Sequence, residues 1–228
     1  MQDGMVIRVN IDRIGITLQS ESAFTMLDQF GIYPKWRTIS NPNGRTSYDT
    51  IPGMQGAFDS TEQFGEVFYD MRNLSIGAIL IDDDYHRVIQ TLSAKYHCQA
   101  VDIMFANDPD YYWSGRISID SYDSKGHSLT MHAKVFPFKF KMQKTVIQRT
   151  VASSSIVRLH NERMPVVPTI TTYGPITLAW GNNTKALSAS TYPLTVRVAG
   201  LRLPEGNTDL TITGSNVKVI VEYREATL

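Results

Sequence analysis

Alternation of apolar and polar residues at a period of two restricts this chain more than any other feature. LTMHAKV (129–135) sets Leu129, Met131, Ala133 and Val135 on one side and Thr130, His132 and Lys134 on the other. VKVIVEY (217–223) does the same with Val217, Val219, Val221 and Tyr223. Side chains of an extended strand point to opposite faces in turn, so these runs read as strands half-buried against a core. The pattern recurs in VIRVNI from Val6, in MRNLSIGAILI (71–81) with Leu74, Ile76 and Leu80 inward, and in Val101, Ile103 and Phe105. It continues through Ile117 and Ile119, Ile176, Leu178 and Trp180, Leu194, Val196 and Val198, and Leu210 and Ile212. A helical period occurs once. Tyr85, Val88, Ile89, Leu92 and Tyr96 follow three aspartates suited to capping and to the positive end of a helix dipole, which predicts a helix over 84–97.

Turn residues divide the strands. Pro34 to Gly56 reads as a long turn-rich stretch that carries contacts rather than core, Asp108-Pro109-Asp110 as a turn closing the Val101 strand, and Asp123-Ser124-Lys125-Gly126 as a hairpin bend. After Phe140 the texture becomes small and polar, and short strands follow between prolines and glycines. This places a domain boundary near 145: an N-terminal β domain with one helix over 1–145 and a small C-terminal β-sandwich over 146–228.

Length and charge narrow the partners. With 228 residues and 42% hydrophobic content the chain fills a sizeable core, and 22 basic residues balance 22 acidic ones, so no field holds nucleic acid through its phosphates. No basic stretch precedes an apolar run at the N-terminus, and nowhere do eighteen apolar residues follow one another, so neither a cleaved export signal nor membrane insertion is expected. The single cysteine, Cys98, fits synthesis in a reducing cytoplasm.

No residue set carries catalysis. Asp108 and Asp110 flank one proline, whereas the carboxylate pair of a glycosidase faces across the scissile bond, so turn formation accounts for them. His97-Cys98 with His86 lacks the spacing of a zinc site, and Cys98 reads as a small buried apolar group. His127 and His132 fall on opposite faces of their hairpin. Neither a Gly-rich phosphate loop nor a Gly-x-Ser-x-Gly elbow occurs, and no cofactor or metal is implied. Tyr111, Tyr112 and Trp113 are the most conspicuous group. Burying one such ring removes on the order of 150–250 Å² from water, roughly 4–6 kcal/mol at ~25 cal/mol/Å², so at least one is expected in the core. Those left outside are candidates for a protein interface. Tyr173 and Trp180 are candidates for stacking on a sugar, the alternative reading being a carbohydrate-binding module for host cell-wall glycan.

Several segments together resemble a family. IPGMQGAFDSTEQFG (51–65), MRNLSI, YHRVIQTL, FANDPDYYWSGRISIDSY, NERMPVVPTITTYG (161–174) and GLRLPEGNTDLTITGSNVKVIVEYRE (200–225) stand in the order found in distal tail proteins of long-tailed phages, the Gram-positive-host type above all. Asp-Pro-Asp-Tyr-Tyr before Gly115-Arg116, joined with Arg163-Met164-Pro165 before Leu203-Pro204-Glu205-Gly206, carries the likeness. The resemblance implies an N-terminal β-sandwich with one helix that builds a homohexameric ring, and a galectin-like C-terminal sandwich. It implies a hub between the tail tube protein and the tail-tip and receptor-binding proteins, located at the virion tail tip and without catalysis. Met54-Gln55 stand where the family commonly has a basic and an acidic residue, and Phe136-Pro137-Phe138 where it commonly has Asp-Pro-Tyr. Met54, Gln55, Tyr111, Tyr112 and Trp113 are therefore the interface candidates.

Overall fold

The computed structural model describes residues 13–81, 84–123, 125 and 127–228. The strand expected from Val6 lies outside them, as do Asp82 and Asp83. The chain divides into two compact units, Met1–Pro137 and Phe138–Leu228.

In the first unit the strands are β1 (Ile14–Leu18), β2 (Thr25–Met26), β3 (Ile32–Ile39), β4 (Tyr48–Asp49), β5 (Phe58–Asp59), β6 (Arg72–Leu80), β7 (Ala100–Phe105), β8 (Asp108–Asp123) and β9 (Ser128–Val135). Seven of them form an antiparallel sheet in the order β2-β1-β7-β8-β9-β6-β3. A 3-10 turn, Leu27–Phe30, joins β2 directly to β3, yet these strands stand at the two ends of that order. Laid flat, six spacings of ~4.8 Å would separate them by about 29 Å, whereas the chain from Met26 to Ile32 reaches at most about 20 Å. The sheet therefore rolls until its faces enclose one core, the sandwich expected from the sequence. Ile14, Ile32, Ile76, Ile103, Ile117 and Met131 meet in that core, each at most 1% exposed.

Helix α1 (Tyr85–Tyr96) closes the core with Val88, Leu92 and Tyr96, three residues of the predicted stripe. Asp84 caps it, accepting the Arg87 backbone N–H at 3.4 Å and the Arg87 Nε at 2.9 Å. At its far end Cys98 takes φ 57° and hands the chain to β7. The residue expected to be a buried apolar group is exposed, because the left-handed turn after the helix directs its side chain outward. A β-carbon in that region costs roughly 1–2 kcal/mol, part of which glycine returns as unfolded-state entropy. Cys98→Gly should therefore raise stability by about 0.5–1 kcal/mol in urea unfolding, and the native protein should react with one equivalent of a thiol reagent before any unfolding.

Two other expectations give way to strands. The region from Pro34 begins inside β3 rather than in a loop. Pro34 is accommodated because β3 is an edge strand whose register shifts between Pro34 and Trp36, so the missing N–H breaks no ladder. The turn expected at Asp108-Pro109-Asp110 lies at Ala106–Asn107 instead. Phe105 pairs with Asp108 and Met104 with Tyr112, so Pro109 to Tyr111 bulge out at the start of β8. Gly115, further along β8, is dictated by close approach: a β-carbon there would stand 2.2 Å from the Lys134 carbonyl oxygen.

In the second unit the strands are β10 (Lys139–Lys141), β11 (Thr145–Val151), β12 (Ser154–Asn161), β13 (Thr169–Thr172), β14 (Ile176–Trp180), β15 (Asn183–Leu187), β16 (Leu194–Arg197), β17 (Gly206–Gly214), β18 (Val217–Tyr223) and β19 (Ala226–Thr227). Two four-stranded sheets, β11-β18-β13-β16 and β12-β17-β14-β15, share a core of Val157, Leu159, Ile170, Leu178, Leu210 and Val221, a β-sandwich. This unit opens at Phe138 rather than near residue 145, since β10 pairs with the C-terminal β19. The segments that carry the resemblance meet here. Val166 and Leu203 exchange backbone bonds of 3.1 and 2.8 Å, Asn161 Nδ2 donates to the carbonyls of Met164, Leu203 and Pro204, and Arg163 pairs with Glu205 at 2.9 Å.

The Tyr223 hydroxyl donates to the His160 carbonyl from within the second core. Burial, with Glu225 adding to it, pushes the phenol up to about 12 from its ordinary 10. The folded state therefore holds this proton more tightly than the unfolded chain. The stability it contributes is complete below pH 10 and is lost as pH rises toward 12. Tyr223→Phe should cost about 1 kcal/mol at neutral pH and make the alkaline decline shallower, measured by urea unfolding at stepped pH.

Candidate functional site

Between β3 and β6 the first unit carries a long exposed segment, here called the arm. From Ser40 to Met71 Ser60 alone is buried. Polar bonds hold the arm together where a core would otherwise be needed. At the base, Arg45 N–H donates to Phe68 O at 2.7 Å, Asp70 N–H to Asn43 O at 2.9 Å, and Arg45 Nε pairs with Asp70 at 2.7 Å. Midway β4 pairs with β5, and Ser60 donates from its backbone to Ser47 O at 2.9 Å and from its hydroxyl to Asp49 Oδ2 at 2.7 Å. Thr61 donates to the Asp59 carboxylate, which holds that acid below its ordinary range.

Because the bonds are backbone and polar, the large apolar side chains remain outside. Tyr48 is 60% exposed, Phe58 53%, Phe64 74% and Phe68 45%, with Ile51 and Met54 close to half exposed. Large apolar side chains left in water make the arm a candidate contact surface. Met54 and Gln55 lie in one of its turns, both exposed, so the structure places these two interface candidates on the arm. The aromatic residues around them were not singled out from sequence. Their only signal is that they recur without a period of two or 3.6 inside a turn-rich stretch, which fits neither a buried strand nor a buried helix face.

The other candidates disperse. Trp113 is 7% exposed and enters the first core, with the Arg72 guanidinium 4.9 Å from its ring centroid, so it offers no contact surface. Trp113 lies across from Ile103 in the ladder, on the core-facing side of β8. Tyr111, the last residue of the bulge, and Tyr112, which follows it, are half-buried. Tyr173 stands 47% exposed against the Lys218 ammonium, on the sheet containing β13 and β18. Trp180 belongs to the other sheet, packs partly into the core and donates Nε1–H to the Gly200 carbonyl at 3.2 Å. The two do not form one sugar platform.

The polar residues weighed for chemistry serve structure. His97 Nδ1 accepts the Ile119 N–H at 3.2 Å, His127 sets its ring edge-on to Tyr85, and His132 bonds Ser75 and stands 3.5 Å from Asp120. No cluster of three metal-ligating side chains occurs among the described residues, and no described helix is long and apolar enough to cross a membrane.

Two antiparallel β units and, among the described residues, one α-helix define a β-sandwich fold. Along its length the chain is similar to the SPP1 Dit protein (gp 19.1), described as a paradigm of the hub adsorption apparatus in phages infecting Gram-positive bacteria. The TM-score is 0.63 at 15% identity, covering 92% of this chain and 98% of that one. A chain of the phage p2 baseplate in its activated conformation with Sr aligns with TM-score 0.45 and 6% identity, over 93% and 98%. No family model and no curated protein sequence matches.

Proposed function

We propose that this chain is a distal tail protein: a structural subunit that closes into a six-membered ring at the far end of a phage tail tube and joins it to the tail tip. The observation that carries the reading is end-to-end agreement of fold with the SPP1 hub protein, with neither unit missing. The exposed arm supports it, because a ring repeats one heterologous contact and the arm leaves large apolar side chains outside to make it. The edge strand β3 offers unpaired backbone for the same purpose. Function here is binding. Partners are further copies of the chain, the tail tube protein, the tail-associated protein below it and the receptor-binding apparatus, with the C-terminal sandwich, galectin-like in this reading, facing outward. The protein is made in the bacterial cytoplasm and resides in the virion at the tail tip.

Negative-stain imaging of the purified chain mixed with tip-less tail tubes tests the role. Six-fold rings capping one end of each tube are the expected result; tubes that stay bare in excess protein would refute it.

A further inference from the structure

Strand β6 turns Leu74, Ile76, Ala78 and Leu80 into the first core, and the residue that opens this inward phase is a charge, Arg72. It is 5% exposed and stands across the ladder from Val135, which is fully buried. Its chain neighbours place it at the rim of the core, since Met71 just before it and Phe136 just after Val135 are both exposed. A guanidinium stays protonated inside a protein, so the cost of burial is not relieved by losing the charge. Nothing among the described residues compensates it. Nε is sealed from solvent and donates to no acceptor. Desolvation alone acts on its pKa, lowering it, with no acid to raise it. Asp70, the nearest acid in the sequence, is paired with Arg45 at 2.7 Å. The Trp113 ring, its centroid 4.9 Å from Arg72 Cζ, attracts the cation through its π face but supplies no oxygen to the N–H edge. A buried cation held against a ring and unmet along its donor edge is one half of a charge-assisted pair.

We infer that Arg72 and Trp113 make a binding site for a small oxyanion, a phosphate or a carboxylate group, at the rim of the first core. Two oxygens of such a group fit the planar fork side by side, a pairing that an ammonium cannot reproduce. Entry is from the rim to the terminal nitrogens, because Nε is closed off. Occupied, the site neutralises the charge and steadies the start of β6; empty, it leaves the charge as a cost to the first unit. The site stands apart from the tail role and fails or holds independently of it.

Thermal unfolding of the full chain tests it, with sodium phosphate or sodium acetate replacing chloride at fixed ionic strength. In the wild type the midpoint should rise and level off within the millimolar range, as a saturable site requires. In chloride alone Arg72→Met should unfold about 3 °C or more above the wild type, because an uncompensated charge has gone, and neither anion should shift it further. Arg72→Lys keeps the charge without the fork and should need about tenfold more anion for the same shift. A plateau with phosphate and none with acetate assigns the site to phosphate, and the reverse assigns it to carboxylates. A rise without a plateau, equal in wild type and Arg72→Met, is exclusion of the anion from the protein surface and would overturn the site. Coincident curves for wild type and Arg72→Lys would overturn it as well, a comparison that stands even where Arg72→Met does not fold.

Discussion

Trp113→Ala should lower the unfolding free energy of the first unit by about 3–5 kcal/mol, a large share of the 5–15 kcal/mol typical of a domain. The ring is 7% exposed inside the core, and its loss leaves a cavity that the neighbouring strands of a rolled sheet fill poorly. It also strips the face on which Arg72 rests. That guanidinium is 5% exposed and its pKa is lowered by desolvation, so the indole supplies part of the attraction that replaces water. Trp113→Phe keeps a ring and should recover most of the loss. Urea unfolding followed by far-UV circular dichroism measures both. A stable Trp113→Ala protein that no longer self-associates would return this residue to an interface.

The second large effect falls on assembly and spares the fold. Serine at Phe58, Phe64 and Phe68 together should abolish ring formation with little change in the unfolding midpoint. These rings are 53%, 74% and 45% exposed and contribute nothing to either core. Burying one phenylalanine stabilises by roughly 1.5–3 kcal/mol, so losing three weakens each contact by about a thousandfold or more. A melting temperature lowered by ten degrees or more would place these side chains in the folding of the first unit.

The strands were legible wherever one face is buried and the other wet. Leu129 to Val135, Val217 to Tyr223 and Leu74 to Leu80 fall as read, and so does the helix, because amphipathic periodicity is written by burial itself. Reading failed where local chemistry and tertiary pairing disagree. Pro34 signals a break, and a bulge on an edge strand admits it; Asp-Pro-Asp signals a turn, and β7 recruits its flanks into a ladder. Thr145–Val151 reads only as part of the small, polar texture after Phe140, because an edge strand with both polar and apolar residues outside, Val146 and Gln148 among them, has no clean alternation. Of the candidate contact surface, sequence singled out Met54 and Gln55, which came through resemblance to a family and are exposed on the arm.

The central claim is that these surfaces exist to join identical copies. Sedimentation equilibrium of the purified chain across a wide concentration range tests it most directly. A species of six times the 25.6 kDa chain mass, weakened by salt, is the expected result. A single 25.6 kDa species at every concentration and ionic strength would contradict it.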